Sequence, residues 1–130
     1  MARTMNEFTK TERKTLRDLA GTVYEAEAHA YLEELEHEFA RWRSAEILSS
    51  ELLAAIHEFH QGQSRELWSR YQSLKEPEIV ARGVSLGYLA EKQVPEAIRQ
   101  KLQPLLEFFA KNSTWCRTQG RVSSPHETDA

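Results

Sequence analysis

Residues 49–62 of the chain read SSELLAAIHEFHQG, and this stretch decides the fold class. Its two opening serines, Ser49 and Ser50, are typical helix N-caps, and Gly62 at its end suits a left-handed C-cap. Apolar residues in and just before it recur every three or four positions, the period of one helix face: Leu48, Leu52, Ile56 and Phe59. The stretch therefore predicts a central, capped helix in an all-helical protein.

The composition supports a helical domain. The chain has 130 residues, of which 40% are hydrophobic and 28% charged, with only 5 Gly and 4 Pro to form turns. Such a length usually corresponds to one domain, and few turn residues favour a few long elements over many short strands. We predict a four- or five-helix bundle over residues 9–110, after a flexible leader at 1–8 and before a disordered polar tail at 111–130.

Charge, hydropathy and cysteine content exclude several classes. A net charge of −3 argues against a wholesale nucleic-acid binder. The longest apolar run, Leu52 to Ile56, is far shorter than the ~18 residues that a membrane span needs. The first residues lack the apolar core of a signal peptide, so a cytoplasmic location is expected. Cys116 is the only cysteine, which rules out an internal disulfide, and Trp115 beside it is unusual in a polar tail.

A long helix is predicted before the central one. Thr9 and Glu12 fit a capping box, and a helical pattern then continues to about Ser44. About 35 residues at ~1.5 Å each give a helix of about 50 Å, longer than a compact domain of this size. Either the helix breaks near Gly21 or one end projects and needs a partner. We therefore predict a homodimer or a complex with a partner protein, with an interface stripe at Tyr24, Tyr31, Leu35, Phe39 and Trp42.

The charges of this helix are segregated. Its middle carries only acids, with basic residues before and after them: Glu25, Glu27, Glu33, Glu34, Glu36 and Glu38. One interpretation is a solvated face. The other is an antiparallel pairing code, in which the acidic middle of one copy meets the basic end of another.

The remaining helices follow from turn and breaker residues. A third helix capped by Ser64 is predicted to bury Leu67, Trp68, Tyr71 and Leu74. A fourth begins at Pro77 and runs to about Ala90, and within it Gly83 and Gly87 either permit close helix approach or only weaken the helix. A fifth helix follows Val94, and Pro104 must kink or split it because proline removes a hydrogen bond and clashes with the preceding turn.

Two histidines on the central helix, His57 and His60, are spaced to reach one metal ion. With a carboxylate from the first helix they could bind zinc or iron, although two ligands do not complete a zinc site. The alternative is that both histidines flank the apolar stripe and make ordinary hydrogen bonds. Glu34 and His37 match the Glu-x-x-His motif of di-iron proteins, but the chain has one such motif, which leaves only a site shared by two copies.

Two arginines after Gly62, Arg65 and Arg70, form a third candidate site. They could bind an anion near the start of the third helix, as a nucleic-acid-associated regulator would. The alternative is that they pair with acids of a neighbouring helix, such as Glu58 or the acidic zone of the first helix.

The stretch IHEFHQG at 56–62, followed by RELWSRY at 65–71, resembles small bacterial helical proteins to which no function is assigned. The resemblance implies a helical fold and transfers no site. Because no complete catalytic set is present, the sequence favours a non-enzymatic interaction or regulatory protein, such as an adaptor or an antitoxin-like protein. The alternatives are a metal-binding protein and a nucleic-acid-associated regulator.

Overall fold

The computed structural model describes residues 7–112, and this part of the chain is helical with no strand. Its elements are α1 (Lys10–Arg43), α2 (Ser49–Phe59), a π-helical segment (His60–Ser64), α3 (Arg65–Ser73), α4 (Glu76–Leu86), a 3₁₀ turn (Glu91–Gln93), α5 (Glu96–Lys101) and α6 (Gln103–Lys111). The all-α fold with a long N-terminal helix is confirmed. Two compact units share α1: residues 26–73 form one, which we call the hairpin, and the described residues before and after them form the other, the flanking unit.

Helix α1 begins with the predicted capping box. The Thr9 amide donates to Glu12 Oε1 at 2.9 Å, and the Glu12 amide donates to Thr9 Oγ1 at 3.0 Å. Lys101 Nζ lies 2.7 Å from the same Glu12 oxygen, and this hydrogen bond, followed by the one from Thr9, lowers the pKa of the Glu12 carboxyl. The helix is continuous through Gly21, so the predicted alternative of a break at that residue is wrong.

The hairpin consists of the second half of α1 and the run from α2 to α3. Glu34 accepts from Gln63 at 3.2 Å, and Glu27 accepts from Arg70 at 3.3 Å. Because the residue number falls along α1 as it rises along the other helix, the two run antiparallel. The turn between them contains Ala45 in the left-handed region, at φ 65°.

The start of α2 differs from the sequence prediction. Leu48 is the N-cap residue, and its amide donates to Glu51 Oε1 at 2.7 Å, so a glutamate in the first turn supplies the cap. The Ser49 hydroxyl instead accepts from Trp42 Nε1 at 3.0 Å. The predicted serine cap is therefore wrong, and the exposed Leu48 does not belong to the buried stripe.

The end of α2 also differs. Gly62 is not a left-handed cap but lies within the π-helical segment, and α2 passes through it into α3. A π turn accommodates an extra residue without ending the helix, so the face presented after it is rotated. Leu67 is buried as predicted, whereas Trp68, predicted to face inward, is 65% exposed.

In the flanking unit, α4 packs against α6, where Ala81 and Phe109 are buried together. Gly83 permits a close approach, because a Cβ atom at this position would lie 2.8 Å from Val23 Cγ1 and closer still to Cγ2. Gly87 ends α4 in the left-handed conformation at φ 87°, earlier than the predicted end near Ala90. The close-approach alternative therefore describes Gly83, and a C-cap describes Gly87.

Pro104 splits the predicted fifth helix into α5 and α6, with Leu102 between them and the proline in the first turn of α6. The core of the flanking unit is apolar except for the buried Arg82, and its buried hydrophobic residues are Phe8, Leu16, Ala20, Val23, Ile79, Val80, Ala81, Leu89, Val94, Ile98, Leu102 and Phe109. Among residues 7–112, no helix is long and apolar enough to cross a bilayer.

Several predictions about the chain ends lie outside the described residues. Trp115, Cys116 and nearly all of the predicted tail at 111–130 are among them, as are the first six residues of the predicted leader. Of that leader the structure describes only Glu7 and Phe8, and Phe8 is buried. A single domain over 9–110 stays a prediction.

Candidate functional site

A buried polar cluster lies inside the hairpin and consists of Glu27, Tyr31, Arg70 and Tyr71. The Glu27 side chain is 0% exposed; its Oε2 lies 3.3 Å from Arg70 Nη1 and its Oε1 accepts from the Tyr71 hydroxyl at 2.7 Å. Arg70 Nη1 also donates to the Tyr31 hydroxyl at 3.4 Å. A carboxylate taken out of water is expensive unless it is paired and hydrogen-bonded, and this arrangement supplies both.

The cluster explains part of the acidic zone of α1. Glu27 is buried and Glu34 is half-buried against Gln63, whereas Glu25, Glu33 and Glu36 are exposed. The solvated-face interpretation is therefore wrong for Glu27, and for the exposed members of the zone both interpretations stay predictions. A sequence signal existed: Glu27 lies four residues after Val23 and four before Tyr31, on the buried side of α1.

Only four residues of the hairpin are buried, and the whole of 26–73 is described: Glu27, Tyr31, Leu52 and Leu67. Two helices with so few buried side chains leave apolar surface uncovered. Leu32 is 55% exposed, Leu53 66% and Trp68 65%. Each of the three directly follows a buried residue, namely Tyr31, Leu52 and Leu67 in that order.

Helix geometry indicates that these three exposed residues lie on the same side of the hairpin. One step along an α-helix rotates the side chain by about 100°, so each exposed residue lies about a quarter turn from the buried residue before it. All the helices are right-handed, and α1 runs opposite to α2 and α3. When the buried residues of two antiparallel helices face each other, the residue after each buried one is turned by about a quarter turn. Because the helices run in opposite directions, both of these next residues point to the same side of the pair.

Half-buried apolar residues of α1 extend this side. Leu35 and Phe39 follow Tyr31 by four and eight residues, which places them between the buried direction and that of Leu32. We use the name hairpin face for Leu32, Leu35, Phe39, Trp42, Leu53 and Trp68. The hairpin face groups apolar residues on one side of two helices, and exposed apolar surface of this kind is typical of interaction sites.

The predicted interface stripe coincides only in part with the hairpin face. Leu35 and Phe39 are half-buried, and Trp42 is 39% exposed. Tyr24 is 44% exposed on the portion of α1 that belongs to the flanking unit. Tyr31 is 1% exposed and its hydroxyl accepts a hydrogen bond from Arg70, so the chain itself covers it and the face does not include it. The sequence reasoning missed Leu32 and Leu53.

The predicted metal ligands His57 and His60 are both exposed, one at the end of α2 and the other at the start of the π-helical segment. Among residues 7–112, no three His, Cys, Asp or Glu side chains are grouped so that they could hold a metal ion. Glu34 accepts a hydrogen bond from Gln63, and His37 is exposed; a site that two copies share through Glu34 and His37 stays a prediction. Binding of zinc or iron by His57 and His60 stays a prediction.

The two arginines proposed for anion contact have different surroundings. Arg65 is exposed, whereas the Arg70 side chain is 9% exposed and paired with Glu27. For Arg70 the structure thus shows the alternative in which the arginine pairs with the acidic zone of α1. A nucleic-acid surface that needs both arginines would have to break this buried pair.

Comparison of the chain with protein-family models, with curated proteins and with solved structures found no match.

Proposed function

We propose that the protein is a non-enzymatic interaction or regulatory protein that acts as a homodimer through its hairpin face. The observation that carries the proposal is the exposure of Leu32, Leu53 and Trp68 on one side of a hairpin with few buried residues. Two such hairpins, packed face to face, form a four-helix arrangement in which each copy covers the apolar side of the other.

The spacing along α1 supports a second copy as the occupant. Leu32 and Trp42 lie five residues to either side of His37, and Leu35 and Phe39 lie two residues to either side of it. A two-fold interface is self-complementary, because each residue meets a counterpart that meets it in return. Two antiparallel copies of α1 that cross at the level of His37 would pair Leu32 with the partner's Trp42 and Leu35 with the partner's Phe39.

The second helix of the hairpin, which runs from α2 to α3, has a similar symmetric spacing of apolar residues around His60. Leu53 precedes His60 by seven residues and Trp68 follows it by eight. Glu34 and Gln63, which lie three residues before His37 and three after His60, are hydrogen-bonded to each other. The centres of the two patterns therefore face each other across the hairpin, and one two-fold axis would satisfy both helices.

A second copy also suits the charges of α1. The middle of α1 is acidic and its end is basic. When two copies of α1 pair antiparallel, the acidic middle of one copy lies near the basic end of the other. The proposal thus combines two independent features of the sequence, the apolar spacing and the charge order, with the exposure found in the structure.

The test is the mass of the full chain in solution, measured by sedimentation over a wide range of protein concentration. We expect the wild type to be a dimer and the double variant Leu53→Glu/Trp68→Glu to be a monomer, because four carboxylates would have to be buried in its interface. Leu48→Glu is the matched control, since Leu48 is 70% exposed but is not part of the hairpin face. Far-UV circular dichroism of each variant verifies that the helices remain.

Three outcomes would overturn the proposal. They are a monomeric wild type at every concentration, a double variant as dimeric as the wild type, and a control that dissociates as fully as the double variant. A wild type that is monomeric alone and associates only with another protein would assign the hairpin face to that partner and would refute the homodimer.

A further inference from the structure

Two histidines, His57 and His60, lie between Leu53 and Trp68, the residues that the second helix contributes to the hairpin face. On the helical run from α2 to α3, His57 follows Leu53 by four residues and His60 follows it by seven, so both histidines lie on or beside the face. Both are exposed. Trp68 then closes the face at its far end. A dimer that buries Leu53 and Trp68 must also enclose the imidazoles between them.

We infer that His57 and His60 of two copies form one shared transition-metal site at the centre of the dimer, with Zn²⁺ as the preferred ion. The inference rests on the proposed homodimer. Imidazole nitrogen is a ligand that suits zinc, copper and nickel, and neutral imidazole can enter an interface without the cost of a buried charge.

The positions of the histidines along the helix axis support the shared site. In the antiparallel pairing proposed above, His60 is at the centre, next to the partner's His60. His57 and the partner's His57 lie on opposite sides of that centre, each about 5 Å along its helix axis from the His60 of its own chain. All four imidazoles are thus within about one helical turn of the two-fold axis.

The number of ligands explains why a second copy is needed. One chain offers two imidazoles on this face, which is fewer than the four ligands of a closed tetrahedral zinc site. Two copies offer four, all from the same pair of positions. Because the ion would bind the dimer and not the single chain, zinc would stabilise association by mass action.

The test uses the full chain after treatment with a chelator, with zinc chloride as the probe. Sedimentation measures the dimer dissociation constant with and without zinc, and native mass spectrometry counts the ions. We expect zinc to tighten the dimer on the order of tenfold or more, as a ligand specific for the associated state does. We also expect one zinc per two chains.

The variants separate the histidines from the dimer itself. The double variant His57→Ala/His60→Ala is expected to lose the zinc response, so that its dimer dissociation constant is the same with and without zinc. His37→Ala is the matched control, since His37 is also exposed but points to another side of α1, and it should respond to zinc like the wild type.

The outcomes also distinguish this inference from the proposed function. A wild type that is dimeric without zinc and unaffected by it would refute the shared site and leave the dimer intact. A wild type that is monomeric both with and without zinc would refute both. Binding of one ion per chain, or an undiminished zinc response in the double histidine variant, would also refute the shared site.

Discussion

Replacement of Gly83 by alanine tests the close approach of α4 to α1 inside the flanking unit. An added Cβ would lie 2.8 Å from Val23 Cγ1, nearer still to Cγ2, and 3.2 Å from Val23 Cβ. Carbon atoms in contact prefer about 3.5–4.0 Å, so the atoms must move apart. Val23 is 0% exposed and β-branched, which leaves its side chain little freedom to rotate away.

The expected loss of stability follows from two opposing terms. Overpacking a well-filled core typically costs about 1–3 kcal/mol. Alanine in place of glycine within a helix regains about 1 kcal/mol. We therefore expect Gly83→Ala to lower the free energy of unfolding by about 0–2 kcal/mol.

Gly21 provides the matched control because it undergoes the same chemical change in an open position. It lies within α1, and a Cβ there would meet nothing within 4 Å. Gly21→Ala should therefore raise the free energy of unfolding by about 1 kcal/mol. Urea unfolding followed by far-UV circular dichroism, at one fixed protein concentration, compares the two variants. Val23→Ala should cost less stability when residue 83 is alanine than when it is glycine, because the truncation relieves the overpacking.

If Gly83→Ala proved as stable as Gly21→Ala, the helices would not approach as closely as the structure indicates. The same conclusion would follow if Val23→Ala had the same effect with Gly83 present as with alanine in its place, because the two positions would then be uncoupled.

The remaining predictions concern two ion pairs. Arg70→Met should lower the free energy of unfolding in urea by about 3–5 kcal/mol, because it removes the cation that faces the buried Glu27. Arg65→Met, at an exposed position, should change the free energy of unfolding by less than about 0.5 kcal/mol. Equal effects of the two substitutions would contradict the buried pair. The lowered pKa of Glu12 means that its contribution to stability is present above its ordinary value of 4.5 and is lost as the pH falls through the lower value of the folded protein. Glu12→Gln should therefore be less stable than wild type at neutral pH and as stable as wild type in acid. Lys101→Met should weaken the pH dependence of stability. If the stabilities of Glu12→Gln and wild type stayed equally far apart down to low pH, the contact between Glu12 and Lys101 would be contradicted.

Local rules made several elements predictable from the sequence. The Thr9–Glu12 capping box involves residues three apart, and the split at Pro104 follows from the chemistry of one residue, so neither depends on distant contacts. The length of α1 was likewise predictable, because its apolar stripe continues past Gly21. A single glycine costs only about 1 kcal/mol, which packing of a long helix can offset.

Other features depended on tertiary contacts and could not be predicted in the same way. Gly62 has the residue type of a helix cap, yet the helix continues through it by means of a π-helical segment, a rare element with no reliable local signal. Trp68 was assigned to the inside because it is large and apolar. Its exposure follows from the orientation of α3, in which Leu67 and not its neighbour is buried.

The polar interior of the hairpin offers a physical reason for association. Glu27 and Glu34 occupy the direction in which α1 faces its neighbouring helix, and they hold Arg70 and Gln63 there through hydrogen bonds. Such bonds fix the register of two helices, but they contribute little hydrophobic stabilisation. The apolar residues of the same helices are displaced by about a quarter turn to the hairpin face, where burial requires another molecule. A fixed register inside the hairpin and an apolar surface outside it are the two properties that the proposed homodimer requires.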